Sequence, residues 1–286
     1  DKLNREIGNV DKVPLIAELM PTRWTYEALI VTQFKDNKYS KTQFSKEGET
    51  YYELQKEISE ADFNKVHRIK SLRDALETTM FELRSNPKNI GNSGDLLIKK
   101  TARKFSKLQL LKNELEKMAA IYHVPLFNFI ADLTPYEFNP GVADSLTQYL
   151  NRMDKIFSQI SNSASDRRDV FYNMNDLKLK KLEDDYYNYK LLELVTKPYE
   201  RKKILVYYNS LVQNTDPVYL DPYKRGFLDF RTHFYSPAKY IFGIKTDTFI
   251  FNISLVLLSS VFLYLILYFE LLGRTVRFFE NLKIRK

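Results

Sequence analysis

The chain has no cysteine in its 286 residues, only three histidines, one tryptophan and eight glycines. Without cysteine there are no disulfides, thiolate zinc sites, iron–sulfur clusters or thiol nucleophiles, and the redox compartment is left open. His67, His123 and His233 lie far apart and none stands in an H-E-x-x-H or comparable spacing, so metal catalysis has no support. Eight glycines and ten prolines are too few for a collagen-like, low-complexity or turn-dense all-β chain. None of the glycines opens a G-x-x-x-x-G-K-[ST] loop and there is no G-x-S-x-G, so the chain offers no phosphate cradle and no nucleophile elbow. Adjacent acids such as Asp184 with Asp185, or Glu57 with Glu60, are ordinary on a charged helix. No catalytic, cofactor-binding or metal residue is assigned.

What is present is unevenly distributed. The 44 basic against 36 acidic residues give a net charge of +8, and a mean hydropathy of -0.39 suggests a soluble protein. Yet residues 249–269 (FIFNISLVLLSSVFLYLILYF) carry no charge. As a helix rising 1.5 Å per residue they cover about 30 Å, the thickness of a bilayer core, so a membrane span is predicted. Arg274, Arg277, Lys283, Arg285 and Lys286 follow it, against Glu270 and Glu280. Short flanks rich in Lys and Arg stay cytoplasmic, which places the C-terminus inside and the residues before Asp247 outside the cytoplasm. Asp1, Lys2, Leu3 and Asn4 form neither a basic n-region nor an apolar h-region. The chain is therefore expected to be a piece of a longer polypeptide whose earlier spans deliver it across the membrane.

Upstream of the span the apolar period is helical. Val66, Ile69, Leu72, Leu76, Met80 and Leu83 form one stripe; Phe105, Leu108, Leu111, Leu115 and Met118 a second; Leu146, Leu150, Met153, Phe157 and Ile160 a third. Stops are expected at Asn86 with Pro87, Gly91 to Gly94, Val124 with Pro125, Asn139 with Pro140, and Ser161 to Ser163. A further helix is expected over 166–195, and Lys197 with Pro198 should open another. The fold class is thus all-α: a helical extracytoplasmic domain followed by a single C-terminal transmembrane helix. No stripe outlasts about three heptads, which favours a compact bundle over a coiled coil. Twenty tyrosines and twenty phenylalanines are spread along the chain without a nucleic-acid signature, so no nucleic-acid partner is expected.

Near the start, residues 13–34 read VPLIAELMPTRWTYEALIVTQF, an amphipathic stretch broken at Pro21. Arg23 and Glu27 are four apart on one helical face and can pair. Partial desolvation in a headgroup layer would strengthen such a pair, and Trp24 and Tyr26 suit that layer. An ordinary soluble amphipathic helix fits the pattern equally. Within the span, Asn252 and Ser259 are seven apart and share a face that Ser260 adjoins. Polar groups at membrane depth normally face protein or a cavity, so this face should pack on neighbouring helices.

The run from Met20 to Leu29, with Gln33 and Phe34, resembles the S-P-x-R-[YW]-x-x-E-A-L…F segment that follows the fifth span in ABC-2 exporters of the G, or white, subfamily. DKLN, VPLIAELMPTRW, NTDPVYLDP and the run from His233 through Lys239 and Tyr240 resemble the long bacterial ATP-binding/permease fusions of the Bacteroidota type. The resemblance covers both ends and reaches the middle by position only; the intervening loop is far longer than in eukaryotic members. It implies a re-entrant or membrane-surface segment over 1–40, a periplasmic helical domain over 41–245, span six over 246–270 and a cytoplasmic tail over 271–286. It also implies ATP-coupled export of a lipid-like or amphipathic substrate across a bacterial inner membrane. ATP and Mg would sit on a nucleotide-binding domain elsewhere, and the partners would be the membrane, a second permease half in a homodimer or pseudo-dimer, and that domain. Arg23, Trp24 and Glu27 become the mechanical residues, with a reversal at Glu27 compensated by a change at Arg23. The external domain could cap a gate, dock a periplasmic partner or receive substrate. The competing reading is a membrane-anchored helical adaptor without transport.

Overall fold

The computed structural model describes residues 12–44, 48–84, 94–174, 176–223, 226, 230–271, 273 and 277. The chain forms two compact units: Asp1–Asn37 together with Asp221–Lys286, and Lys38–Leu220 inserted between them. The stretch from Asp221 onward is grouped with the apolar C-terminal helix rather than with the inserted helices.

The unit formed by the two ends of the chain begins with a single turn, α1 (Leu15–Glu18), and then α2 (Pro21–Lys35). Pro21 occupies the first turn of α2, where its missing N–H has no helical partner. It therefore ends one helix and opens the next.

The inserted unit is mostly helical: α3 (Tyr51–Phe63), α4 (Lys70–Arg84), α5 (Gly94–Tyr122), α6 (Pro140–Met174), α7 (Asp176–Tyr186) and α8 (Tyr189–Thr196). A capping box starts α3, the Thr50 hydroxyl accepting from Glu53 N and the Glu53 carboxylate accepting from Thr50 N. Between α3 and α4 the helix widens to a π-turn, Asn64–Ile69. The extra residue breaks the 3.6 period, so the first predicted stripe does not run straight: Ile69, Leu72 and Leu76 are buried, while Val66 is rotated out to solvent. Leu108, Leu111, Leu115 and Met118 meet Leu146, Leu150, Met153 and Phe157 in one core, with Phe105 outside it.

Helix α6 overrides the stop expected at Ser161 to Ser163. Ser and Asn cost about half a kcal/mol each in a helix. Against that, Ser161 Oγ donates to Asp62 of α3 at 2.7 Å, Ala164 is fully buried, and Arg167 pairs with Glu57 at 2.6 Å. The single helix expected over 166–195 is instead the end of α6 followed by α7 and α8. Lys197 does not open a helix; it closes α8 in the left-handed region, φ 52°. The chain then turns extended, so the all-α expectation holds only coarsely: the molecule is mostly helical, with two antiparallel hairpins among the described residues.

The first hairpin pairs β1 (Ile204–Tyr207) with β2 (Ser210–Gln213). Tyr208 and Asn209 both have positive φ, 45° and 54°, as a type I′ turn requires. Its anchor is Glu114 of α5, fully buried, which accepts from Ser210 Oγ at 2.7 Å and Leu211 N at 2.8 Å while its other oxygen lies 3.6 Å from Arg68 Nε of the π-turn.

The second hairpin, β3 (Ala238–Ile241) with β4 (Ile244–Asp247), leads directly into α9 (Thr248–Tyr268). At 21 residues and about 31 Å, α9 is the one helix among the described residues long and apolar enough to cross a membrane. This chain buries only Thr248, Phe251 and Asn252 of it. The predicted interhelical stops at 86–87 and 91–93, and most of the basic tail, lie outside the described residues.

Replacing Glu114 with alanine removes the acceptor of the Leu211 N–H and the carboxylate that faces Arg68. We expect a loss of about 3–5 kcal/mol in stability and loss of hydrogen-exchange protection at the Leu211 amide; unchanged protection there would refute this role.

Candidate functional site

The buried face of α2 carries Arg23, Trp24, Glu27, Ala28, Val31 and Phe34, while Leu29 on the opposite face is 60% exposed. Two charged side chains thus share the buried face with apolar ones. The sequence suggests an amphipathic helix with its charges toward headgroups; the structure turns Arg23 and Glu27 inward and an aliphatic residue outward.

Glu27, with 0% exposure, is the hub. Its Oε2 accepts from three groups on three elements: Arg23 Nη2 of α2 at 3.3 Å, Lys239 Nζ of β3 at 3.0 Å and Asn252 Nδ2 of α9 at 3.0 Å. Arg23 also pairs through Nη1 with Glu18 of α1. Two cations and two carboxylates therefore make a nearly dehydrated cluster of zero net charge. Lys239, also 0% exposed, donates in addition to Thr232 Oγ1 at 3.1 Å.

Trp24 walls the cluster. Its indole N–H donates to Glu18 O at 2.9 Å, and its ring lies 4.3 Å from the Arg23 guanidinium carbon and 5.3 Å from Lys239 Nζ. Both cations thus gain a π-face where water is excluded. The ring also meets Phe251 of α9 at 5.8 Å and Phe230 at 6.0 Å. Asn252 joins the wall to the hub, its Nδ2 donating to Trp24 O at 3.1 Å as well as to Glu27. Both neighbours are pure acceptors, so only one orientation of the amide satisfies them.

The head of α9 is fastened a second time. Thr248 Oγ1 donates to Ser236 O at 2.6 Å, Ser236 Oγ to Ala238 O at 2.7 Å, and the Asp247 side chain caps the helix at Phe249 N while pairing with Lys35 of α2.

Burial opposes charge at two members of the cluster. Desolvation pushes Lys239 below its ordinary value, with Glu27 opposing it. Desolvation likewise raises Glu18, with Arg23 opposing it. A carboxyl raised in the folded state contributes its stability below its unfolded pKa and loses it as pH rises through the folded value. The Arg23 and Lys239 charges beside Glu18 oppose that loss.

Of the residues singled out from sequence, Arg23, Trp24, Glu27 and Asn252 come together. Ser259 and Ser260 do not join them; each donates to Val256 O of its own helix, at 2.7 and 2.9 Å, and needs no partner helix for its hydroxyl. Lys239, Glu18 and Thr232 were not assigned a role from sequence. A lysine nine residues before α9 was the available signal for the first. Among the described residues no group of three His, Cys, Asp or Glu side chains could hold a metal ion, and the cluster's contacts are those of a mechanical joint: ion pairs and amide hydrogen bonds that converge on Glu27 Oε2.

The hub also changes the expected compensation. Exchanging Arg23 and Glu27 would set a cation against Lys239 and the Asn252 amide, so R23E/E27R should not rescue E27R. Glu27→Gln should cost about 3–5 kcal/mol, read as a melting shift of the whole protein in detergent, with partial recovery on adding Lys239→Met. Glu18→Gln should cost far less at neutral pH. Equal losses for the two glutamines would contradict the assignment of Glu27 as the hub.

Compared with known proteins, no family model, curated sequence or solved structure matches this chain.

Proposed function

We propose that this chain is the C-terminal part of the transmembrane subunit of an ATP-driven exporter. In this reading α9 is the last span, α1 and α2 are the membrane-surface segment before it, and the inserted helical unit is an enlarged periplasmic domain. The observation that carries the proposal is the Glu27 hub: the Arg23, Trp24 and Glu27 side chains that carry the resemblance to the white-type exporters are the ones that turn inward and grip the head of α9. A cluster that must stay intact makes α2, β3 and the start of α9 move as one body. Alternating access in such a transporter needs a rigid link of this kind, because span movement has to reach the external domain without being lost in flexible joints. By sequence the link has two exits into the inserted unit, one after Lys35 at the end of α2 and one before the β3–β4 hairpin.

The outward faces support a bilayer as the solvent of this unit. Ile16, Leu19, Met20 and Leu29 are exposed beside a helix whose own surface is apolar all round. The five basic residues after α9 favour a cytoplasmic C-terminus in a bacterial inner membrane. ATP and Mg would bind on a nucleotide-binding domain elsewhere in the transporter, which would work as a homodimer or pseudo-dimer moving a lipid-like or amphipathic substrate.

The test uses the full polypeptide in proteoliposomes with a fluorescent phospholipid analogue as probe. ATP-dependent translocation is expected, and Glu27→Gln should lower it at least tenfold while ATP hydrolysis continues, the signature of lost coupling. A membrane-anchored adaptor would give no ATP-dependent translocation at all. Single cysteines replacing Ser163 and Asn281, introduced into a chain that has none, should label from opposite sides of the membrane; labelling from one side would overturn the topology.

A further inference from the structure

The β3–β4 hairpin carries an unusual turn. Phe242 and Gly243 have φ 51° and 80°, the type I′ geometry that normally takes Asn or Gly at its first position. A bulky aromatic is disfavoured there by its own backbone sterics. Phe242 is 53% exposed, and Ile244, just past the turn, is 67% exposed. The tip thus combines a conformational cost with two apolar side chains that the fold leaves largely uncovered. Turn chemistry does not call for Phe242, since Asn would suit the same dihedral angles better.

The place of the hairpin in the chain indicates what the tip meets. Asp247 ends β4 and is also the N-cap of α9, so Ile244 lies four residues from the head of the span, about 14 Å along a strand. The hairpin's base is fixed to that head by the Thr248 and Ser236 hydrogen bonds and by Lys239 in the Glu27 hub. It cannot swing far from the layer in which the span begins. The same unit presents Ile250 and Phe249 on the first turn of α9 and Ile16, Leu19 and Met20 around α1, all exposed. The charges nearest the tip are neutralised: Lys245 pairs with Asp221 at 2.7 Å and Lys239 is buried.

We infer that the β3–β4 tip is a lipid-contacting anchor, with Phe242 and Ile244 inserted at the headgroup and acyl boundary of the leaflet in which α9 begins. The inference rests on reading α9 as a membrane span. Aromatic rings favour that boundary, and an anchor on a hairpin welded to the Glu27 hub would fix the height of the hub relative to the bilayer. The turn then has a physical role, because it holds a half-exposed ring at the tip of the hairpin.

This chain contributes no cysteine of its own, and any in the rest of the polypeptide are first replaced by serine. Spin labels are placed singly at Phe242→Cys, Ile244→Cys, Phe262→Cys in the middle of α9 and Tyr136→Cys, which is 98% exposed, in the full polypeptide reconstituted in phosphatidylethanolamine and phosphatidylglycerol vesicles. Labels at 242 and 244 should show an oxygen-to-nickel-chelate collision ratio several-fold above that at 136 and approaching that at 262. A ratio at 242 and 244 equal to that at 136, or shielding from both reagents, overturns the anchor while a lipid-like value at 262 keeps the span reading intact. A water-like value at 262 overturns both. Phe242→Asn separates anchoring from folding: its melting temperature in detergent should be unchanged or higher, whereas the label at 244 should shift toward water. A lower melting temperature with no such shift would mean that Phe242 serves the fold alone.

Discussion

A carboxylate taken out of water must find its hydrogen bonds inside the protein, and Glu27 finds three on one oxygen, from α2, β3 and α9. The penalty for burying an ion is several kcal/mol, and its return depends on every partner being in place. Removing a single partner leaves an uncompensated charge, while removing all four charges together would leave an ordinary apolar contact. The cluster is therefore close to all-or-none, which gives stiffness where packing alone would give a plastic joint. Trp24 contributes by excluding water from both cations at once and by supplying the carbonyl that fixes the Asn252 amide.

The inserted unit solves a similar problem with the same residue type. Glu114 is fully buried in α5 and holds the β1–β2 hairpin through a hydroxyl and a backbone N–H, with Arg68 against its second oxygen. The π-turn is what brings Arg68 there, since the extra residue that pushes Val66 outward carries Arg68 inward. The two buried glutamates differ in what they bind. Glu27 gathers side chains from three distant parts of the sequence, so its cluster ties elements together; Glu114 receives a strand's backbone, so its bonds locate one hairpin on one helix.

These contrasts explain what the sequence reveals and what it hides. The apolar C-terminal helix is legible because 21 uncharged residues admit few other readings, and the stripes of α5 and α6 are legible because they keep an undisturbed 3.6 period. Arg23 and Glu27 are legible as a pair by their spacing, but not as an inward-facing one, because spacing fixes a shared face and says nothing of which solvent that face meets. Lys239 is hidden for a different reason: its acceptor is more than two hundred positions away, and no local pattern encodes the contact. The hairpins escape notice because four-residue strands are too short to show a period of two. The continuity of α6 through Ser161 was hidden by a weak propensity signal that contacts with α3 outweigh.

The polarity of each unit points to its surroundings more directly than the average composition does. In the inserted unit the core is Leu, Met, Phe and Ala, and ion pairs such as Arg73 with Asp154, Lys107 with Glu82 and Arg167 with Glu49 are partly exposed. That is the order imposed by water. In the other unit the charged Glu27 and Lys239 are fully buried together with Asn252, while Leu19, Leu29 and most of α9 are exposed. On the proposed reading of α9 as a span, that order suits a medium in which apolar surface costs nothing and charge costs a great deal. The reversal occurs at the two points where the inserted unit joins, near Asn37 and Asp221. A mean hydropathy of -0.39 averages the apolar α9 with the charged helices of the inserted unit, and the Glu27 hub shows how a carboxylate is held out of water: by ion pairs with Arg23 and Lys239 and a hydrogen bond from Asn252.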